Sequence, residues 1–169
     1  MRSSLILSFA GALMASSALA DDGASFVKGD WIGMGAFQLG DEISACSEVK
    51  MRFEGSKTGF EVHEASMTCG NAPKQEFTAF AYFTVDENGI LAYDRGTAKN
   101  IATGTHVGVV KDNKLHMVNP VEGDNVDDIH IQKAGDLLIY DQRAGEPGQT
   151  PDYSLLAIMK RDPSAAPKP

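Results

Sequence analysis

Short segments in which apolar and polar residues alternate recur along most of this chain, and they constrain its fold more than any other feature. Residues 75–85 are the longest example, with an apolar side chain at every second position from Phe77 to Val85. Successive side chains of a β-strand point to opposite faces, so each segment predicts a strand with one buried face. No window shows a helical repeat sustained over several turns. The pattern therefore predicts an all-β protein.

The segments between these predicted strands are short and rich in Gly, Asn, Asp and Lys, as in 55–59 and 86–89. Sequential strands joined by tight turns form an antiparallel meander, and about eight or more can close into a barrel without exposed edges. A two-sheet sandwich is the alternative, although it would need longer crossover connections. We predict a single antiparallel up-and-down barrel of about 8–10 strands with little helix. The segments 39–45 and 97–102 are the candidate helices.

The two ends of the chain differ in composition from the predicted barrel, which covers residues 21–160. Residues 1–20 begin with a basic residue, continue with a short apolar run and end in Ala18-Leu19-Ala20, which is the arrangement of a cleaved signal peptide. Residues 161–169 contain three prolines and several small side chains, which predict a disordered tail. No segment has the roughly 20 apolar residues of a membrane span. These features predict a periplasmic or secreted protein.

The chain contains 2 Cys, Cys46 and Cys69, which flank one predicted hairpin. With the turn centred on residues 56–58, the two cysteines are opposed across the hairpin, and the alternation places both on its outer face. Opposed residues are close enough to be bridged, and an exported protein meets an oxidising compartment. A thioredoxin-type redox pair would have C-x-x-C spacing, and a zinc site would need more ligands. We therefore predict a structural disulfide.

A G-x-W motif, Gly29-Asp30-Trp31, lies on the predicted first strand. This resembles the opening of the calycin superfamily, which includes the lipocalins, the fatty-acid-binding proteins and the avidins. The resemblance implies an up-and-down barrel in which Trp31 closes one end.

Two branches of that superfamily can be compared with the chain. The nitrobindin-like haem barrels share the spacing G-x-W-x-G-x-G, but their haem is held by a histidine late in the chain, and the last histidine of this sequence is His130. The secreted bacterial metalloprotease inhibitors are similar in their first-strand G-x-W and in one disulfide across an early hairpin, which is where Cys46 and Cys69 lie. Those inhibitors act through an N-terminal segment. The resemblance thus implies a protease inhibitor as one alternative function.

Large apolar side chains dominate one face of the predicted central strands, and in a closed barrel this face points inward. Such an interior is either a filled core or a cavity for one small ligand, and periodicity alone does not separate the two. The aromatic residues of the predicted strands are therefore candidates for lining a ligand cavity: Trp31, Phe53, Phe60, Phe77, Phe83, Tyr93 and Tyr140.

His116 and His130 are the candidate metal ligands. The segment 119–127 predicts a hairpin loop around Gly123, which would place the two histidines opposite each other with acidic residues nearby. Two imidazoles can share a metal ion, but only two ligands are placed in this way, and a pair of surface histidines is the ordinary alternative. We therefore predict no metal and no other cofactor.

Charge and motifs argue against several functional classes. Asp and Glu number 23 and Lys and Arg 15, for a formal charge of −8, whereas nucleic-acid binding needs clustered basic residues. No G-x-S-x-G elbow, phosphate-binding loop or paired acid–base group is recognisable, so no enzymatic activity is predicted.

These observations lead to a functional hypothesis with two alternatives. The chain is predicted to be a secreted or periplasmic, non-enzymatic protein that binds a small apolar ligand in its barrel. The first alternative is a protein-binding module, such as an inhibitor of a secreted protease, and the second is a haem- or metal-binding barrel. A hollow barrel would favour the ligand, and a filled barrel with a protruding N-terminal segment would favour the inhibitor.

Overall fold

The computed structural model describes residues 23–77, 79 and 81–165. The predicted signal peptide, residues 1–20, lies outside this part of the chain, as do the last four residues of the predicted tail. The described residues form one 3₁₀ helix, Gly23–Val27, and eleven β-strands. The strands are β1 (Gly29–Leu39), β2 (Glu42–Ser56), β3 (Gly59–Cys69), β4 (Gln75–Phe77), β5 (Ala81–Asp86), β6 (Gly89–Asp94), β7 (Gly108–Lys111), β8 (Lys114–Pro120), β9 (Val126–Ala134), β10 (Leu137–Gly145) and β11 (Tyr153–Arg161).

The strands form one closed antiparallel barrel in which strands that follow each other in sequence are paired, except β4 and β5. β1 pairs with β11 and β2 pairs with β3, which closes the sheet on itself. β4 and β5 both pair with β3, along different parts of its length, so they share one of ten strand positions. The predicted up-and-down barrel is confirmed, and the architecture is consistent with a calycin-like fold.

Three local predictions differ from the structure. The single strand predicted over 75–85 is divided into β4 and β5. The helix predicted at 39–45 is wrong, because this segment contains the turn between β1 and β2. The helix predicted at 97–102 is also wrong, because Ala98 has a φ of 54°. This left-handed backbone conformation is incompatible with a right-handed helix.

One end of the barrel is closed by the 3₁₀ helix and Trp31. Ala24, Phe26 and Val27 of the helix are buried, and the helix packs against β2 and β3. Trp31 is 1% exposed, and its indole Nε1 donates a hydrogen bond to the carbonyl oxygen of Val27 at 2.7 Å. The guanidinium of Arg161, on the last strand, lies over the indole ring at 3.9 Å from its centroid. Trp31 therefore joins the first and last described elements at the closed end of the barrel.

Gly33 and Gly35 allow β1 to lie very close to β11. A Cβ added at Gly33 would overlap the backbone carbonyl oxygen of Ile158, and one added at Gly35 would overlap that of Leu156. A paired backbone cannot move aside without breaking its ladder of hydrogen bonds, so both positions require glycine. The glycines that follow Trp31 in the sequence thus have a packing role where the first and last strands meet.

Cys46 and Cys69 are opposite each other in β2 and β3 and form a disulfide with an S–S distance of 2.03 Å. The predicted bond is confirmed, but its predicted outer-face position is wrong, because both cysteines are buried with the core. The register shifts by one residue at Ser47 in β2 and at His63 in β3. Each such bulge reverses the faces of the residues beyond it. Cys69 therefore shares the inner face with Met67.

Candidate functional site

The barrel contains a cavity of about 410 Å³ that opens to solvent. Small-molecule sites in proteins usually have volumes of about 300–1,000 Å³ and mainly apolar walls. Most strands contribute inward-facing side chains to this cavity. Its apolar walls include Met51, Phe60, Phe83, Met117, Ile131 and Leu155.

The mouth of the cavity lies at the end of the barrel opposite the 3₁₀ helix. Leu39, the last residue of β1, lines the cavity, yet it is 63% exposed. Trp31 is near the other end of β1 and does not line the cavity. The barrel is therefore closed at the end where Trp31 lies and open at the end where Leu39 lies.

The structure separates the seven aromatic residues that the sequence predicted as cavity candidates. The four that line the cavity are Phe60, Phe77, Phe83 and Tyr140. Trp31 lies at the closed end, and Phe53 is buried with its ring centroid 6.4 Å from that of Tyr140. Tyr93 stacks on Tyr82 of the neighbouring strand, with the ring centroids 5.2 Å apart, and also lies outside the cavity.

Polar side chains are concentrated on the part of the cavity wall formed by β8 to β11. Gln142 Nε2 donates to the Asp127 carboxylate, at 2.8 Å from Oδ1 and 3.0 Å from Oδ2, and also lies 2.8 Å from the Tyr153 hydroxyl oxygen. The Tyr140 hydroxyl donates to Gln142 Oε1 at 2.7 Å. Asn119 is the cross-strand partner of Asp127, and its buried Oδ1 accepts no hydrogen bond from the described residues. These five side chains form the polar wall of the cavity.

Burial dominates the electrostatics of the polar wall. Asn119 and Asp127 are each 4% exposed. Burial raises the pKa of Asp127, although the hydrogen bonds from Gln142 and Tyr153 oppose part of this rise. Burial also raises the pKa of Tyr140, and it raises that of Tyr153 to about 12, so both hydroxyls keep their protons at neutral pH. No lysine or arginine is among the described residues that line the cavity.

We expect Asp127→Asn to stabilise the protein at neutral pH. A raised native pKa means that the native state holds the proton more tightly than the unfolded chain does, so stability falls as the pH rises between the two pKa values. Asparagine has no charge to bury, and the thermal midpoint should therefore rise at pH 7 by about 2–4 °C, the shift that about 1 kcal/mol produces in a chain of this size. Differential scanning calorimetry from pH 3 to pH 8 measures this effect.

The gain from Asp127→Asn should shrink below about pH 3.9, where Asp127 is protonated in both states. Asp124→Asn is the control, because Asp124 is an exposed acid in the loop between β8 and β9. This control should change the midpoint little at any pH. The test compares the difference in thermal midpoint between Asp127→Asn and the wild type at two pH values. If this difference were smaller at pH 7 than at pH 3, the expected sign of the effect would be wrong.

Sequence reasoning missed most of the polar wall. Asn119 and Asp127 lie in the segment 119–127, which the sequence predicted to be a hairpin loop, but the structure places them in β8 and β9. Had the alternation of Leu115 and Met117 been continued along β8, Asn119 would have been placed on the inner face. The alternation therefore carried this signal, but polar residues at these positions are also typical of a turn.

The two histidines that the sequence predicted to be opposed do face each other, on the outer side of the barrel. His116 and His130 are cross-strand partners in β8 and β9, and their rings are nearly parallel with centroids 3.9 Å apart. Asp128 Oδ1 lies 3.0 Å from His116 Nε2 and 3.2 Å from His130 Nε2. These side chains alternate with Met117 and Ile129, which line the cavity, so the cluster lies outside it.

No protein-family model matches the chain, and a comparison with curated proteins also finds no match. Among the described residues, no helix combines the length and the apolar character that crossing a membrane requires. What indicates function in this chain is therefore the geometry of the cavity and its polar wall.

Proposed function

We propose that this protein is a non-enzymatic binding protein that holds one small, mainly apolar molecule inside the barrel. The observation that carries this proposal is the cavity of about 410 Å³, which opens to solvent and is lined mostly by apolar side chains. A filled core would bring these side chains into contact, because protein interiors pack as densely as organic crystals. An apolar molecule in this space would remove its own surface and the cavity wall from water, which stabilises a complex by about 25 cal/mol per Å².

The polar wall favours a ligand that carries a hydrogen-bond donor at one end. Asn119 Oδ1 has no partner among the described residues, and a buried acceptor without a partner costs about 1–3 kcal/mol. A hydroxyl or amine of the ligand would satisfy this atom, whereas a ligand carboxylate would place a second acceptor group beside Asp127. The favoured class is therefore an alcohol or amine with an apolar body, rather than a fatty acid.

The N-terminal segment favours ligand binding over protease inhibition. An inhibitor that acts through its N-terminal arm needs that arm to protrude, but residues of Gly23–Val27 are buried against the closed end of the barrel.

The positions of the histidines disfavour the haem alternative. His116 and His130 lie on the outer face of the barrel, and no histidine is among the described residues that line the cavity. A haem in this cavity would lack an imidazole ligand.

The disulfide supports the proposed location outside the cytoplasm. Disulfides persist in oxidising compartments and are rare in the cytosol. The Cys46–Cys69 bond joins two neighbouring strands near the mouth of the barrel. A protein that holds a ligand in the periplasm or the extracellular medium would retain this bond.

Titration with N-phenyl-1-naphthylamine, an apolar amine that fluoresces in apolar surroundings, tests the proposed function. We expect saturable binding of one molecule per chain with a Kd on the order of micromolar. Competition should show that 1-decanol displaces the probe at least about fivefold more effectively than decanoic acid, which corresponds to about one hydrogen bond. If the probe binds but the two competitors are equal, the cavity proposal stands and the donor class is wrong.

Two exposed leucine-sized side chains provide a matched pair of variants for this titration. Leu39 lines the mouth of the cavity, whereas Ile43, which is also highly exposed, does not line it. Leu39→Arg should weaken binding of the probe by about five- to thirtyfold, the equivalent of about 1–2 kcal/mol. Ile43→Arg should leave it unchanged. Equal losses in both variants, or no saturable binding to the wild type, would overturn the proposal.

The polar wall can be tested separately through Asn119→Leu, which keeps the volume of the side chain and removes its acceptor. This variant should reduce the affinity for 1-decanol about fivefold, since one hydrogen bond contributes about 1 kcal/mol. Its affinity for decanoic acid should change less. An unchanged preference for 1-decanol would show that Asn119 does not contact the ligand.

A further inference from the structure

Three potential metal-ligating side chains converge on the outer face of β8 and β9. The ligand atoms of His116, Asp128 and His130 all lie within 4.8 Å of one another. Both imidazole Nε2 atoms point at the same carboxylate oxygen, at 3.0 and 3.2 Å. The cross-strand register of β8 and β9 holds the two rings side by side. The strand pairing therefore brings the three ligands together without any loop.

Two of the three ligand–ligand distances in this cluster are close to those around a bound ion. A tetrahedral zinc ion about 2.0–2.1 Å from each ligand separates neighbouring ligand atoms by about 3.3 Å. The two Nε2–Oδ1 separations fall near this value. The side chains of both histidines are about half exposed, at 48% and 53%, so their rings can adjust to an ion. An ion would displace any proton that a ring nitrogen now shares with Asp128.

The charged neighbours leave the Asp128 carboxylate available to the two histidines. Arg143 is the cross-strand partner of Asp128 in β10, but its guanidinium lies 3.2 Å from the carboxylate of Asp141. Asp141 is in turn the cross-strand partner of His130. The basic group opposite Asp128 is therefore paired with a second carboxylate, which reduces its repulsion of a bound cation.

We propose that His116, Asp128 and His130 form a surface site for one divalent transition-metal ion such as Zn²⁺. Two imidazole nitrogens and one carboxylate oxygen suit Zn²⁺, Cu²⁺ or Ni²⁺, whereas Ca²⁺ and Mg²⁺ prefer oxygen ligands alone. Three protein ligands leave at least one coordination position for water. The site lies on the opposite face of β8 and β9 from the cavity, so it does not depend on the proposed apolar ligand.

Isothermal titration of Zn²⁺ into the tag-free protein tests this site, because an affinity tag of histidines would bind the ion itself. We expect one ion per chain and no binding of Ca²⁺ under the same conditions. His116→Ala and His130→Ala should each weaken Zn²⁺ binding by at least about tenfold, since even indirect support of a metal ligand changes affinity to that extent. The double variant should show no stoichiometric binding.

His106 provides the matched control. It forms a single surface pair with Asp86, at 3.0 Å from Oδ1, without a second histidine. His106→Ala should leave Zn²⁺ affinity unchanged, and Asp128→Asn, which keeps the side-chain shape, should lower it. Absence of stoichiometric binding to the wild type would overturn the proposal. Equal losses in His106→Ala and His116→Ala would also overturn it, because the zinc would then be bound non-specifically.

Discussion

Replacing Trp31 with alanine is expected to lower the free energy of unfolding by about 3–5 kcal/mol, the range for deletion of a buried aromatic side chain. The indole of Trp31 is almost fully buried, and its N–H donates to the carbonyl oxygen of Val27. Alanine would leave a void beneath the 3₁₀ helix and would remove that donor. We therefore expect Gly23–Val27 to detach from the closed end. Urea unfolding followed by far-UV circular dichroism measures the loss, because Trp31 is the single tryptophan and its fluorescence is absent from the variant.

Two further variants separate the contributions at this position. Trp31→Phe keeps an aromatic ring but lacks the indole N–H, so it should cost less than Trp31→Ala. Met34→Ala changes a side chain of the same strand that is 68% exposed, and it should alter stability by less than about 0.5 kcal/mol. If Trp31→Ala were no more destabilising than Met34→Ala, Trp31 would not be what holds the closed end together.

Removal of the disulfide is expected to cost about 3 kcal/mol, which is the chain-entropy estimate for a loop of this length. Cys46 and Cys69 are 23 positions apart in the sequence, and the bond joins β2 to β3 at the end of the barrel where the mouth lies. Without the bond, the unfolded chain gains conformational freedom while the native pairing of the strands remains. The double variant Cys46→Ala/Cys69→Ala should therefore stay folded but unfold at lower urea concentration.

A reducing agent supplies the internal check for this prediction. Reduction of the wild type should lower its stability toward that of the double variant, whereas the double variant itself should not respond to the reagent. The bond also lies beside Met67, a cavity-lining residue, so both treatments should weaken binding of N-phenyl-1-naphthylamine at the mouth. Unchanged stability after complete reduction would show that the bond contributes nothing to folding.

The strands and their order could be predicted from the sequence because both depend on local properties. The direction of a side chain in a strand follows from backbone geometry, and short turns force sequential strands to be neighbours. The same reasoning placed Cys46 opposite Cys69 and His116 opposite His130, and both pairs are found. Pairing register within a hairpin is fixed by its turn, so it is readable from a single segment.

The face on which a residue lies was less predictable, because one extra residue reverses it. The bulges at Ser47 and His63 move the disulfide from the predicted outer face to the inner one. Bulges leave little trace in a pattern of apolar and polar residues. The polar wall illustrates the same difficulty, since Asn119 and Asp127 continue the inward alternation but resemble the residues of a turn.

Phe53 and Phe60 show what only the tertiary structure decided. Both are large, apolar and buried, and they lie on neighbouring strands, yet only Phe60 lines the cavity. Whether a side chain fills the interior or borders an empty space depends on the volumes contributed by ten strand positions and by the helix that closes one end. The sequence by itself determined the alternation, the hairpins and the cysteine pairing, because these depend on neighbouring residues. The closed end, the open mouth and the hollow interior came only from the tertiary structure, because they depend on how all the inward side chains share one enclosed volume.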